Sequence, residues 1–245
     1  MRDNHLHTFF SYDSKAQFED YLRAYSGEIV TTEHFDLSNP YSQQDDIPDY
    51  ERYCHEIERL NALYGNRIKK GIEIGYFQPR EADIKAYLAG KDFDLKLLSV
   101  HHNGIYDYLD DKVETLPKDA VITDYLKRLD DAIGRVEADV LAHFDYGFRR
   151  FDVTTAELKK YENQLCSIFQ KMMDKHLAFE LNAKSMYLYN HEHLYCYALE
   201  LLTKLGCKCY SIGSDGHQLE HFRLNFDKIT ALLADYGISE SQLIS

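Results

Sequence analysis

Lys70-Gly71-Ile72-Glu73-Ile74-Gly75 sets a bulky face against an open one. Successive side chains of an extended chain point to opposite sides. Ile72 and Ile74 therefore share one face, and Glu73 lies on the other between two glycines. The isoleucine face can pack on helices while the carboxylate looks into open space. The segment reads as a strand covered on one side, and the fold turns on what flanks it.

Apolar runs of strand length alternate with longer amphipathic stretches along the whole chain. Strands are expected at Asn4–Phe9, Glu28–His34, Ile68–Tyr76, Leu95–His101, Asp139–Phe144, Ala178–Ala183 and Lys208–Asp215. Helices are expected near Ser14–Tyr25, Asp49–Tyr64, Arg80–Leu88, Ile122–Val136, Thr155–His176, Glu192–Leu205 and Leu219–Tyr236. Seven strand–helix units in strict alternation point to parallel pairing with crossover helices. About 245 residues is the usual size of a (β/α) barrel, so a closed barrel is expected ahead of a doubly wound open sheet. No linker or repeat marks a boundary, and residues 1–245 read as a single domain. The polar segments Phe35–Pro48 and Asn103–Asp119 read as long loops, each following a strand that ends in histidine. In a barrel, loops on that side form the active face.

The chain carries 41 Asp and Glu against 28 Lys and Arg, a net charge of −13. That balance excludes a protein built chiefly to grip nucleic acid or anionic membrane, both of which reward positive charge. Hydrophobic content of 44% with 13% aromatics is that of a packed globule. No apolar stretch approaches the roughly 18 residues of a membrane span, and Met1-Arg2-Asp3-Asn4-His5 has no signal-peptide core. Cys54, Cys166, Cys196, Cys207 and Cys209 are scattered and read as buried thiols of a cytoplasmic protein. Nothing in the sequence fixes an oligomeric state. Twelve histidines are the compositional oddity.

Their placement is ordered. His5-Leu6-His7 puts two imidazoles on one side of a strand, and Thr31-Thr32-Glu33-His34 ends the next. Ser99-Val100-His101-His102, Leu141-Ala142-His143-Phe144-Asp145 and Ser214-Asp215-Gly216-His217 end three more. Parallel strands would bring these side chains and Glu73 to one mouth. That many buried imidazoles and acids without a cation would leave charges unpaired. A mixed nitrogen and oxygen donor set suits zinc, iron or manganese. A catalytic zinc takes about three protein ligands, so two or three divalent ions are implied.

Taken in order, His5-Leu6-His7, Thr32-Glu33-His34, Gly71-Ile72-Glu73, Ser99-Val100-His101, Ala142-His143-Phe144-Asp145 and Ser214-Asp215-Gly216-His217 resemble the polymerase and histidinol phosphatase (PHP) superfamily. Within it the chain is most similar to the monofunctional histidinol-phosphate phosphatases. The resemblance runs from His5 to His217 and implies a distorted (β/α)7 TIM-like barrel with a trinuclear metal centre. It assigns His5, His7, Glu73 and Asp215 to the first metal, and Glu73, His101 and His143 to the second. Asp13, His34 and His217 go to the third, although Asp13 also suits a helix N-cap beside Ser14. The amidohydrolase barrels share the opening motif but usually place a bridging lysine on the fourth strand. Lys96 here stands at the wrong end of that strand.

The implied reaction is hydrolysis of a small phosphate monoester, foremost L-histidinol phosphate, to L-histidinol and phosphate, as in histidine biosynthesis. A hydroxide bridging the metals would attack phosphorus in line, with Glu73 as the bridge and Asp13 and His217 handling protons. Arg149, Arg150 and Lys184 are the candidate phosphate cations. Related phosphatases often have Asn-Thr-Ser-Gly-Leu-Arg after the sixth strand. Here Asn182-Ala183-Lys184-Ser185-Met186-Tyr187 puts Tyr187 in the place of that arginine. Glu180, Asn182 and the acidic loop Asp107–Asp111 are candidates for the substrate's ammonium or imidazole, Glu180 equally for a hydrogen-bonded barrel residue. The partner expected is a small-molecule phosphate ester, with no nucleic acid and no membrane. Two alternatives stay open: a phosphoprotein (tyrosine) or nucleotide phosphoesterase on the same scaffold, and a metal-binding barrel without catalysis.

Overall fold

A computed structural model describes residues 1–244. Five parallel pairings run through β1 (Ile29–Asn39), β3 (Ile68–Gly75), β4 (Leu95–Ser99), β5 (Val140–Leu141), β6 (Ala178–Asn182) and β7 (Tyr210–Gly213), while the short β2 (Gln44–Asp46) folds back on β1. The remaining gap is filled by the chain's first residues. Asn4 N–H donates to Ile212 O at 3.0 Å and His7 N–H to Gly216 O at 2.9 Å, beside β7. On the other side Val30 N–H donates to Asp3 O at 3.0 Å and Thr32 N–H to Leu6 O at 2.6 Å. The barrel therefore closes, as the alternation predicts. Its seventh stave is the irregular one: the expected strand Asn4–Phe9 survives only as the bridges Asp3–Ile29 and Leu6–Gly216.

Register explains the interior. Gly71, Glu73 and Gly75 pair with Thr32, His34 and Asp36 on one side and with Leu95, Leu97 and Ser99 on the other. These residues point inward, and Ile72 and Ile74 point out into the helix-covered core with Leu98, Leu141 and Phe179. Val30, Leu95, Leu97, Val140, Ala142 and Ala178 form a buried apolar plug low in the barrel. Above it, toward the strands' C-terminal ends, the inward side chains are histidines and acids.

Four expectations are corrected. Phe35–Pro48 is not a loop, because β1 continues to Asn39 and pairs antiparallel with β2. Its polar residues satisfy one another: Asn39 Nδ2 and Ser42 Oγ donate to Asp46 Oδ2 at 2.9 and 2.6 Å. The expected helix Thr155–His176 is interrupted by a 3-10 turn at Lys159–Tyr161, and Leu219–Tyr236 becomes helical only at Phe226–Asp235. All five cysteines are free, but only Cys207 is fully buried. A short helix was also not expected. Ala183–Tyr187 forms a short helix because the Asn182 side chain accepts from Ser185 N–H at 2.9 Å.

No helix among the described residues is long and apolar enough to cross a membrane.

Candidate metal centre

Glu73 is the hub. Its Oε1 lies 2.7 Å from His143 Nε2 and 3.1 Å from His101 Nε2. Its Oε2 lies 3.1 Å from His34 Nδ1, 3.3 Å from His5 Nε2 and 3.4 Å from His7 Nε2. Five imidazoles thus converge on one buried carboxylate. Burial pushes Glu73 up, but the charges of His5, His101 and His34 outweigh it and hold the acid well below its ordinary range.

The outer nitrogens of three histidines are pinned by groups behind them. His5 Nδ1 meets Glu180 Oε1 at 2.6 Å, and His101 Nδ1 meets Asp36 Oδ1 at 2.8 Å. His7 Nδ1 meets Ser11 Oγ at 3.0 Å, and that hydroxyl donates to the buried Glu33 at 2.6 Å. In its neutral form, with the one ring proton on Nδ1, each of these histidines presents Nε2 as a free lone pair. Yet His5 Nε2 and His7 Nε2 face each other at 3.1 Å, with Glu73 Oε2 buried beside them and lacking any hydrogen-bond donor. Facing lone pairs around an unpartnered carboxylate oxygen are what a divalent cation would satisfy. The donor set fits divalent metal. Its donor atoms group in threes as His5, His7 and Asp215, as His5, Glu73 and His143, as His7, His34 and His217, and as His34, Asp36 and His101.

The third expected cluster sits nearest solvent. His217 Nε2 is 3.1 Å from Asp13 Oδ2 and 3.3 Å from His34 Nε2, and Asp13 Oδ1 is 3.6 Å from His34 Nε2. Asp13 makes no N-cap, since the helix after it begins only at Phe18 with Gln17 before it. All nine residues named as metal ligands from the sequence are therefore at one mouth.

The three cations separate. Arg149 is buried, donating from Nη2 to Asp215 Oδ2 at 3.2 Å and from Nε to Ser185 Oγ at 2.9 Å. Its guanidinium lies 5.0 and 5.1 Å from the ring centres of Tyr146 and Tyr189. Lys184 reaches Asp215 Oδ1 at 3.1 Å. Arg150 points away, tied to Leu109 O at 2.7 Å, to Glu114 at 3.2 Å and to Asp111.

Asp36 escaped the sequence reading, and Glu33 and Asp145 stood there only inside motifs, with no role of their own. Asp36 could have been found: it lies two residues after His34 on an extended strand, opposite Gly75. A Cβ on Gly75 would fall 1.8 Å from Asp36 Oδ1, so the glycine clears the space for the Asp36–His101 pair. Glu180, offered for substrate, is fully committed inside the barrel. Its Oε2 accepts from His143 N–H at 2.7 Å and Asn182 Nδ2 at 3.1 Å, behind His5. Asp145 accepts from His191 Nδ1 at 2.7 Å and from Ser185 Oγ and Tyr195 OH, each at 2.8 Å, bracing the residue that holds Arg149.

A cavity of about 440 Å³ opens beside Asp13, lined by Tyr12, Tyr41, Asp107, Tyr146, Arg150 and Tyr189. Burial raises the Asp107 carboxyl to about 6.

No protein-family model matches the chain. A probable histidinol-phosphatase of Thermotoga maritima is 28% identical over 241 residues, 97% of this chain and 93% of that protein. Another, of Clostridium acetobutylicum, is 30% identical over 237 residues, 91% of this chain and 89% of that protein. The crystal structure of histidinol phosphate phosphatase from Lactococcus lactis, complexed with zinc, L-histidinol and phosphate, matches with a TM-score of 0.87. The match is 25% identical and covers 97% of this chain and 94% of that one. Likeness of sequence and of barrel over nearly the full length of both partners means that this chain belongs to the histidinol-phosphatase family.

Proposed function

We propose that this chain hydrolyses L-histidinol phosphate to L-histidinol and inorganic phosphate, using two or three divalent ions drawn from zinc, iron or manganese. His5, His7, Glu73 and Asp215 would hold the first ion, Glu73, His101 and His143 the second, and Asp13, His34 and His217 the third. Such ions polarise phosphoryl oxygens and make water nucleophilic near neutral pH. The observation that carries the reading is the meeting of five imidazoles on the two oxygens of Glu73. The zinc and phosphate bound by the Lactococcus lactis enzyme support it.

The chain's own groups divide the remaining work. Arg149, fixed between Tyr146 and Tyr189, orients the phosphate beside Asp215. The Asp13–His217 pair, with Asp13 35% exposed at the rim, handles the proton taken by the departing alkoxide. Arg150, engaged with the acidic loop, borders the substrate cavity and does not reach the metal ligands. Tyrosine faces and the Asp107 carboxylate suit a small cationic alcohol, such as one bearing an ammonium and an imidazole. The same acidic wall disfavours a nucleotide.

The test is phosphate release by the zinc-loaded protein from L-histidinol phosphate, a phosphotyrosine peptide and a mononucleotide. The first should exceed the others in kcat/KM by about a hundredfold or more. Equal turnover of all three, or preference for either of the others, overturns the substrate assignment.

A further inference from the structure

His191 breaks a local rule. It stands just before the helix Glu192–Leu205, where Ser, Thr, Asp or Asn would cap the first turn, and its side chain makes no such bond. The ring turns inward instead, 3% exposed, and Nδ1 donates to Asp145 Oδ2 at 2.7 Å. A side chain that forgoes its own helix to meet a buried carboxylate has a task elsewhere.

That carboxylate is fully shared out. Ser185 Oγ and Tyr195 OH both donate to Asp145 Oδ1 at 2.8 Å, so among the described residues His191 alone holds Oδ2. Asp145 also opens the turn Tyr146–Phe148 from which Arg149 springs, and Ser185 Oγ accepts from Arg149 Nε at 2.9 Å. The charges of Asp215 and Asp145 both act on the Arg149 guanidinium, yet only Asp215 takes a hydrogen bond from it, at 3.2 Å. A buried guanidinium turns to a buried carboxylate that has an oxygen to spare. Without His191, Asp145 Oδ2 would be buried with no donor, and Arg149 could satisfy it only by leaving the mouth.

We propose that His191 is a positioning residue: by occupying Asp145 Oδ2 it keeps the Arg149 guanidinium turned to the mouth, where phosphate binds. His191 itself touches no reacting atom. The inference rests on Arg149 as the phosphate cation.

Calorimetric titration of inorganic phosphate into the zinc-loaded protein, with bound zinc counted in each variant, tests this. His191→Phe keeps a ring in the space and removes the donor. Phosphate should then bind about tenfold more weakly and KM for L-histidinol phosphate should rise by a similar factor, with zinc content at wild type. His191→Asn puts an amide donor close to the place of Nδ1 and should bring phosphate affinity back to within about threefold of wild type. Tyr195→Phe removes one donor to Asp145 Oδ1, leaves its ring in place, and should weaken phosphate about threefold. Unchanged phosphate affinity in His191→Phe overturns the proposal. Zinc lost in step with phosphate, or no recovery in His191→Asn, overturns it in favour of a packing role. Should His191→Phe fail to fold, unchanged phosphate affinity in Tyr195→Phe overturns it instead. Wild-type phosphate affinity in Arg149→Met would strike the assignment of Arg149 itself, so the two failures are distinguishable.

Discussion

His34 and Glu73 are register partners on neighbouring parallel strands, and their side chains meet at 3.1 Å inside the barrel. The pairing places a carboxylate from one stave within reach of imidazoles from four other segments. Glu73→Gln keeps the shape but removes the charge that five imidazoles share. Metal content should fall by at least about one equivalent and turnover by more than about a hundredfold. Far-ultraviolet circular dichroism should stay at wild type, because Ile72 and Ile74 pack on the opposite face. Metal analysis alongside phosphate release checks this, and wild-type turnover would rule out a bridging Glu73.

Asp36 touches no expected substrate atom, yet it fixes His101 through the 2.8 Å contact with Nδ1. Asp36→Asn lets the ring rotate or change tautomer. Metal affinity or activity should drop about 10- to 100-fold, the usual cost of losing a carboxylate behind a metal-bound histidine. A chelator-competition assay reads it directly. Unaltered affinity would show that His101 needs no such support.

Gly75→Ala should act on the same pair from the other side. The new methyl would meet Asp36 Oδ1 at 1.8 Å and His101 Nδ1 at 3.2 Å. Overpacking of this kind costs about 1–3 kcal/mol. A lower denaturant midpoint together with lost metal should be seen. Loss of stability with full metal content would separate packing from the centre.

Asp107 supplies a pH prediction. Burial raises its folded value to about 6, above that of an exposed aspartate. The group is therefore protonated in the folded protein between about pH 4 and 6, where its burial costs stability as pH rises. Above about 6 it is ionised and can pair with a cationic alcohol. kcat/KM for L-histidinol phosphate should rise through that pH in the wild type more steeply than in Asp107→Asn. Identical profiles would remove Asp107 from substrate recognition.

The closed barrel and the meeting of the nine candidate ligands were legible because both depend on alternation along strands and on which strand end carries histidine. The residues that escaped were hidden by composition. Asp36 lies in a stretch whose Asp, Asn, Ser and Gln content resembles a loop, whereas tertiary pairing with His101 and the β1–β2 hairpin extends it. Ser185 comes to the mouth, beside the expected Lys184, through a helix of only five residues, too short for any periodic signal. Arg149 and Arg150 are adjacent in sequence and diverge in space, one braced by Ser185 inside the barrel and one by the acidic loop outside it. The opening His5-Leu6-His7 was recognisable, but its strand is irregular because it bridges β1 and β7 through isolated contacts.

The most direct measurement is a zinc titration of the metal-stripped protein, with phosphate release from L-histidinol phosphate followed at every point. Turnover should be absent without metal and complete between about two and three bound equivalents. Bound zinc that stays below one equivalent under replete conditions, or full turnover by the metal-free protein, would contradict the account.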